Sequence, residues 1–167
     1  MIPDTYQAIL DLGLHVRSLR EADLPAVLEV ERRSYSHPWS EGGFRDCFHP
    51  NYRSWLMLDG DRLAGYAVVA YQYDEAHLLN ICIAPDHRRQ GAGRKLLRHV
   101  VAMSAHDGMA LVLLEVRVSN LSAINLYASE GFQPVGERPE YYPAAEGREA
   151  AKVMTLTLPS VHSPQNL

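Results

Sequence analysis

Cysteine is scarce in this chain: only Cys47 and Cys82 occur among 167 residues. One pair is too few for the disulfide framework on which small secreted domains depend, which favours a reducing compartment. Metal-ligand spacing is missing as well. Eight histidines are present, yet no His-x-x-x-His or Cys-x-x-Cys occurs, so no metal is expected. No apolar run is long enough to span a bilayer. The first residues include Pro3 and Asp4 and lack the apolar core of a secretion signal, so a cytoplasmic protein without a membrane partner is expected. Basic charge is not in excess either. A net charge of −4 argues against a general nucleic-acid binder.

What is present is an ordinary globular composition, 47% hydrophobic and 22% charged, long enough for one domain with a substantial core. Residues 1–14 read as a lead, either a docking helix or unstructured, 15–158 as a single domain, and 159–167 as a polar tail. Alternation over His15–Leu19 predicts a first strand. A helix opening at Glu21 or Asp23 carries Leu24, Val27, Leu28 and Val30 on its apolar side and breaks near Pro38. Ser40 is placed to cap a short second helix. Two strands, Arg53–Leu58 and Leu63–Tyr71, flank the hairpin signal Asp59-Gly60-Asp61. Further strands are expected over Leu78–Ala84, Leu111–Val118, Phe132–Val135 and Ala151–Leu158, with an irregular segment holding Tyr141, Tyr142 and Pro143. Helices are expected between the glycine turn and about Ala105, and from an Asn120 cap to a Gly131 stop. This order predicts a mixed sheet with helices on both faces.

The stretch Asn80–Arg98 organises the rest. Leu78–Ala84 is almost wholly apolar, as for a strand covered on both faces. Pro85 ends its ladder. Arg88-Arg89-Gln90-Gly91-Ala92-Gly93 then turns into a helix with Leu96, Leu97, Val100 and Val101 on one face. A helix opening behind a glycine turn presents backbone N–H groups and a positive dipole end, a site for phosphate. Two common phosphate loops are excluded: no Gly-Lys-Ser/Thr follows, and the third glycine of a dinucleotide fingerprint is missing.

Glu115 is the most informative single residue. It places a carboxylate inside Leu111-Val-Leu-Leu-Glu-Val-Arg-Val118, a run otherwise suited to burial. A buried charge is costly unless paired, or the group becomes a usable base. Either Glu115 serves as that base, or it is paired with Arg117 or another cation. A hydrolase built on Cys82 is disfavoured, because that thiol lies in an apolar strand.

Two segments resemble the GNAT family of acetyl-CoA-dependent N-acetyltransferases. Arg88–Gly93 is similar to its Arg/Gln-x-x-Gly-x-Gly/Ala pyrophosphate loop, and Leu114–Phe132 is similar to its second half, with Asn120, Ala123, Tyr127, Gly131 and Phe132 in register. Within the family the chain resembles the RimI type, the ribosomal-protein-alanine N-acetyltransferases, through Pro38-Trp39-Ser40, Asp74-Glu75-Ala76, Leu79-Asn80-Ile81, Tyr141-Tyr142-Pro143 and Gly147-Arg148-Glu149. The resemblance implies an α/β (α+β) GNAT fold with a mixed, mostly antiparallel central sheet of six or seven strands, roughly over residues 15–158.

It also implies roles. Ile81, Cys82 and Ile83 would pair through backbone with the pantetheine arm of acetyl-CoA, and Arg88, Arg89, Gln90, Gly91, Ala92 and Gly93 would wrap the pyrophosphate. Asn120 would hydrogen-bond the cofactor, Glu115 would be general base, and Tyr127 general acid on the departing sulfur. A protein N-terminus, that of a ribosomal protein, would enter beside Tyr35, Trp39, Tyr141 and Tyr142. An α-amine is easier to neutralise than lysine, with a pKa of about 8 against about 10.4. Glu140, where the RimI pattern leads one to expect a polar, non-acidic residue, departs from that pattern, as does Cys82 where small aliphatic residues are usual. Alternatives are a lysine or small-amine acetyltransferase of the same fold, or a non-catalytic acetyl-CoA sensor.

Overall fold

The computed structural model describes residues 13–159. The lead expected over residues 1–14 falls outside these except for Gly13 and Leu14, and the expected tail falls outside except for Pro159. Leu14 belongs to the first strand rather than the lead.

Seven strands form a mostly antiparallel sheet in the order β1-β2-β3-β4-β5-β7-β6. They are β1 Leu14–Ser18, β2 Tyr52–Asp59, β3 Arg62–Gln72, β4 Glu75–Ile83, β5 Leu111–Arg117, β6 Gln133–Pro143 and β7 Arg148–Thr157. Four α-helices accompany them among the described residues: α1 Leu24–Ser34, α2 Glu41–Asp46, α3 Ala92–His106 and α4 Leu121–Ser129. The element order is the one the sequence predicts, and the mostly antiparallel sheet of seven strands is of the kind the resemblance implies. Chain contacts divide the described residues into two units, 13–71 with 78–102 and 72–77 with 103–159.

In the first unit, local chemistry explains most element ends. Ser40 Oγ accepts from the Gly43 N–H at 3.1 Å and caps α2. Gly60, at φ +59°, makes the tight turn that pairs Asp59 with Arg62. The start of α1 differs from expectation. Glu21–Asp23 form a 3-10 turn, α1 opens at Leu24 with Pro25 in its first turn, and the Asp23 side chain does not cap it. That carboxylate instead takes both terminal nitrogens of Arg17 at 2.7 Å and the Arg20 N–H at 2.8 Å. The Arg17 guanidinium holds the Asp23 carboxyl below its ordinary range.

The core of this unit gathers Leu24, Val27, Leu28 and Val30 of α1 with Phe44, Leu56, Tyr66, Val68 and Cys82. Gly65 is required by close approach: a side-chain carbon there would lie 2.7 Å from the Cys82 carbonyl oxygen and 2.8 Å from Ile83 Cδ1. In the second unit β7 pairs with β5 on one side and β6 on the other. Val112, Leu114 and Val116 of β5, Tyr127, Phe132, Ala151 and Met154 are buried. Asn120 Oδ1 accepts from the Ala123 N–H at 3.2 Å, capping α4, and Gly131 at φ +94° follows its end.

Two further expectations need correction. The segment holding Tyr141–Pro143 is strand, because β6 continues to Pro143. Its register against β7 shifts between Pro134 and Gly136 and again between Arg138 and Tyr142, so it carries no steady alternation that a sequence reading could find. Nor is β4 covered equally on both faces. Ala76, Leu78, Asn80 and Cys82 are buried, whereas Ile81 and Ile83 are half-buried and Leu79 is exposed.

Candidate active site

The first unit brings the expected cofactor segment together at the end of β4. Alternation along the strand turns Cys82 inward, where it is 5% exposed and lies beside Tyr66, and leaves Ile81 and Ile83 on the less covered face. Any contact of Cys82 on that face is therefore through its backbone. Pro85 ends the strand and opens a 3-10 turn to His87. Arg89 at φ +62° and Gly91 at φ +80° then reverse the chain into α3, whose first bond runs from the Lys95 N–H to the Gly91 carbonyl at 3.2 Å.

Arg88 is occupied. Its Nε donates to the Ile83 carbonyl and a terminal nitrogen donates to Ser34 Oγ, each at 3.1 Å, so its side chain braces the turn against β4 and α1. Arg88, Arg89, Gln90 and Gly91 are exposed, Gly93 is half-buried and Ala92 is buried. No heavy atom lies within 4 Å of the position a Gly91 Cβ would take. An open turn with a helix start behind it fits a pyrophosphate approached by backbone N–H groups.

On the same unit Tyr35 is exposed and donates its hydroxyl to the Ile81 carbonyl at 3.0 Å. Trp39 is half-buried, with its ring centroid 5.3 Å from that of Phe44. The residue that fixes Trp39 was not singled out by the sequence. Glu31, only 1% exposed, accepts from the Trp39 N–H at 3.1 Å, from Asn80 Nδ2 at 3.2 and 3.3 Å, and from the Tyr66 hydroxyl. Burial drives the Tyr66 phenol far up, with the neighbouring Cys82 and the bond to Glu31 adding to it. The signal was readable in principle: Leu24, Leu28 and Glu31 are spaced i, i+4, i+7, which puts a carboxylate on the buried stripe.

The second unit assembles the expected acid–base residues. Glu115 stands on the half-buried face of β5 and its side chain is 17% exposed. Arg138 Nε lies 2.9 Å from Glu115 Oε1, and the Tyr141 hydroxyl bonds the same carboxylate, raising the Tyr141 phenol. The Tyr142 hydroxyl donates to the Glu115 backbone carbonyl at 3.1 Å. Arg117, the partner the sequence offered, points elsewhere, donating to the Pro143 carbonyl at 2.6 Å and to Glu149 at 3.0 Å while lying 4.5 Å from the Tyr142 ring centroid. The tyrosine rings pack edge to face at 4.9 Å.

Tyr127 is buried, with Phe132 at 5.8 Å between centroids. Burial, with Tyr142 beside it, pushes the Tyr127 phenol up to about 12, and burial acts likewise on Tyr142. Such a phenol keeps its proton at neutral pH and remains available as a donor. Arg138 is the one participant that the residue types alone did not mark.

Residues 24–132 match the model of the acetyltransferase (GNAT) family. The [ribosomal protein bS18]-alanine N-acetyltransferase of Escherichia coli is 40% identical over 143 residues, covering 86% of this chain and 97% of that protein. The protein of the same description from Haemophilus influenzae is 33% identical over 86% of this chain and 98% of its own length. The crystal structure of the Escherichia coli ribosomal-protein-S18-alanine N-acetyltransferase superposes with a TM-score of 0.86 at 37% identity, over 92% of this chain and 99% of that one.

Proposed function

The chain belongs to the GNAT family of acetyl-CoA-dependent N-acetyltransferases, and from that premise we propose that it acetylates the N-terminal alanine of ribosomal protein bS18 in the cytoplasm. The likeness that carries this reading is the 40% identity, over nearly the full length of the relative, to an enzyme of that description. Acetyl-CoA supplies an activated acyl group as a thioester. In this reading the backbone of Ile81, Cys82 and Ile83 aligns its arm. The turn from Arg88 to Gly93 receives the pyrophosphate, with the Arg88 side chain bracing the turn, and Asn120 adds a contact while capping α4. This reading assigns Tyr35, Trp39, Tyr141 and Tyr142 to the acceptor.

Glu115 takes the proton that the α-ammonium must lose before its nitrogen can attack. The neutral amine attacks the acetyl carbonyl, and the C–S bond breaks as the C–N bond forms. Tyr127 gives its proton to the leaving sulfur, and the second proton that the nitrogen must lose restores the Tyr127 phenol. What supports these roles is the sheltered side chain of Glu115 and the buried, protonated phenol of Tyr127. The test presents acetyl-CoA with intact bS18 and with a peptide of blocked N-terminus and internal lysines, and locates the acetyl group by tandem mass spectrometry. Acetyl on the N-terminal alanine alone is expected. Transfer to lysine alone would sink the α-amine assignment and leave the family intact.

A further inference from the structure

We propose that Arg138 is an internal occupant of the acceptor's cation site, holding the Glu115 carboxylate until a substrate ammonium displaces it. This deepens the reading of Glu115 as base and rests on it. The two residues are not on neighbouring strands. Glu115 pairs with Val153 of β7, Arg138 pairs with Ala151 of the same strand, and β7 lies between β5 and β6. Arg138 therefore reaches across β7 to place Nε 2.9 Å from Glu115 Oε1.

The two ends of this ion pair are unequal. The Glu115 side chain is 17% exposed and the Arg138 side chain 58%, so the cation is the partner that can leave into water. In the paired position its guanidinium also lies 5.6 Å from the Tyr141 ring centroid. The backbone after it is not held in a continuous ladder: register breaks between Arg138 and Tyr142, and Glu140 sits at φ +50°. Arg117, by contrast, is committed to Glu149 and the Pro143 carbonyl.

The chemistry favours a stand-in that is an arginine. A guanidinium cannot give up its proton at any working pH, so its pair with Glu115 leaves the base unspent. An α-ammonium occupying the same position can give up its proton, to Glu115. A pair this exposed is weak, which suits an occupant that must be displaced in every cycle.

The expected signature is in KM. Arg138→Gln should lower KM for a peptide with a free N-terminal alanine about two- to fivefold, the range open to an exposed pair. Little change in kcat is expected, because saturating peptide already displaces the arginine. Arg138→Lys, which keeps a cation, should retain the parental KM. Tens of millimolar methylguanidinium should raise the KM of Arg138→Gln back towards the parental value. Arg138→Met keeps the aliphatic stem over β7 and is the second variant should the first fold poorly.

A KM unchanged or raised in both Gln and Met variants overturns the proposal. Glu115→Gln separates it from the base assignment. If Glu115→Gln keeps full kcat, the base reading fails. If Glu115→Gln loses turnover while Arg138 variants keep their KM, only the occupant fails.

Discussion

Glu115 and Glu31 show how differently two carboxylates can read in one chain. Glu115 interrupts an apolar run, so it stood out from sequence, although its partner Arg138 lies 23 positions away on a strand without regular alternation. Glu31 sits in Leu-Glu-Val-Glu-Arg-Arg, where a charged residue looks solvated, and only its donors show that it is buried. The predictions at this scale concern proton transfer. Tyr127→Phe should lower kcat about 100-fold, the low end for a general acid, while acetyl-CoA affinity measured by calorimetry changes little. Glu115→Gln should give a loss of similar size with cofactor binding retained. Loss of binding in step with kcat would mean that these side chains support structure instead.

Among the elements, β4 and the turn after it were legible because proline, glycine and an apolar run each carry a strong local signal. Which face of β4 is covered was not, since an apolar strand looks the same from either side. The edge strand β6 was half missed: its residues are almost all exposed, and Pro134 and Pro139 interrupt it. Gly65→Ala tests the close approach of β3 and β4. The added carbon, placed 2.7 Å from the Cys82 carbonyl, should cost about 1–3 kcal/mol by denaturant unfolding and raise the acetyl-CoA KM. Gly91→Ala meets no neighbour but must hold φ +80°, a strain of about 1–2 kcal/mol. It should weaken acetyl-CoA binding more than it lowers Tm.

At the scale of the whole molecule, acid stability should carry the mark of one histidine. His99 is 1% exposed, stacked edge to face on Trp55 at 4.5 Å, and burial lowers its pKa to about 4 from 6.5. The unfolded chain then binds a proton that the folded one refuses. Stability is therefore full above about pH 6.5 and falls as pH drops towards 4, by on the order of 3 kcal/mol at most. Chemical denaturation at pH 7, 5.5 and 4.5 should show this decline, and His99→Leu should flatten it. An equal decline in the variant would assign it to the carboxylates.

The Glu31 cluster bears on how the chain reaches its native state. Its donors come from positions 8, 35 and 49 residues further on. A carboxyl group entering the core before they arrive meets a large desolvation penalty. Collapse of α1 onto β3 without β4 leaves the carboxylate short of its two Asn80 bonds, as does a register slip of β4 that carries Asn80 away. The partners of this carboxylate are complete only once residue 80 has been made, so packing of the core before that point during synthesis is expected to be penalised.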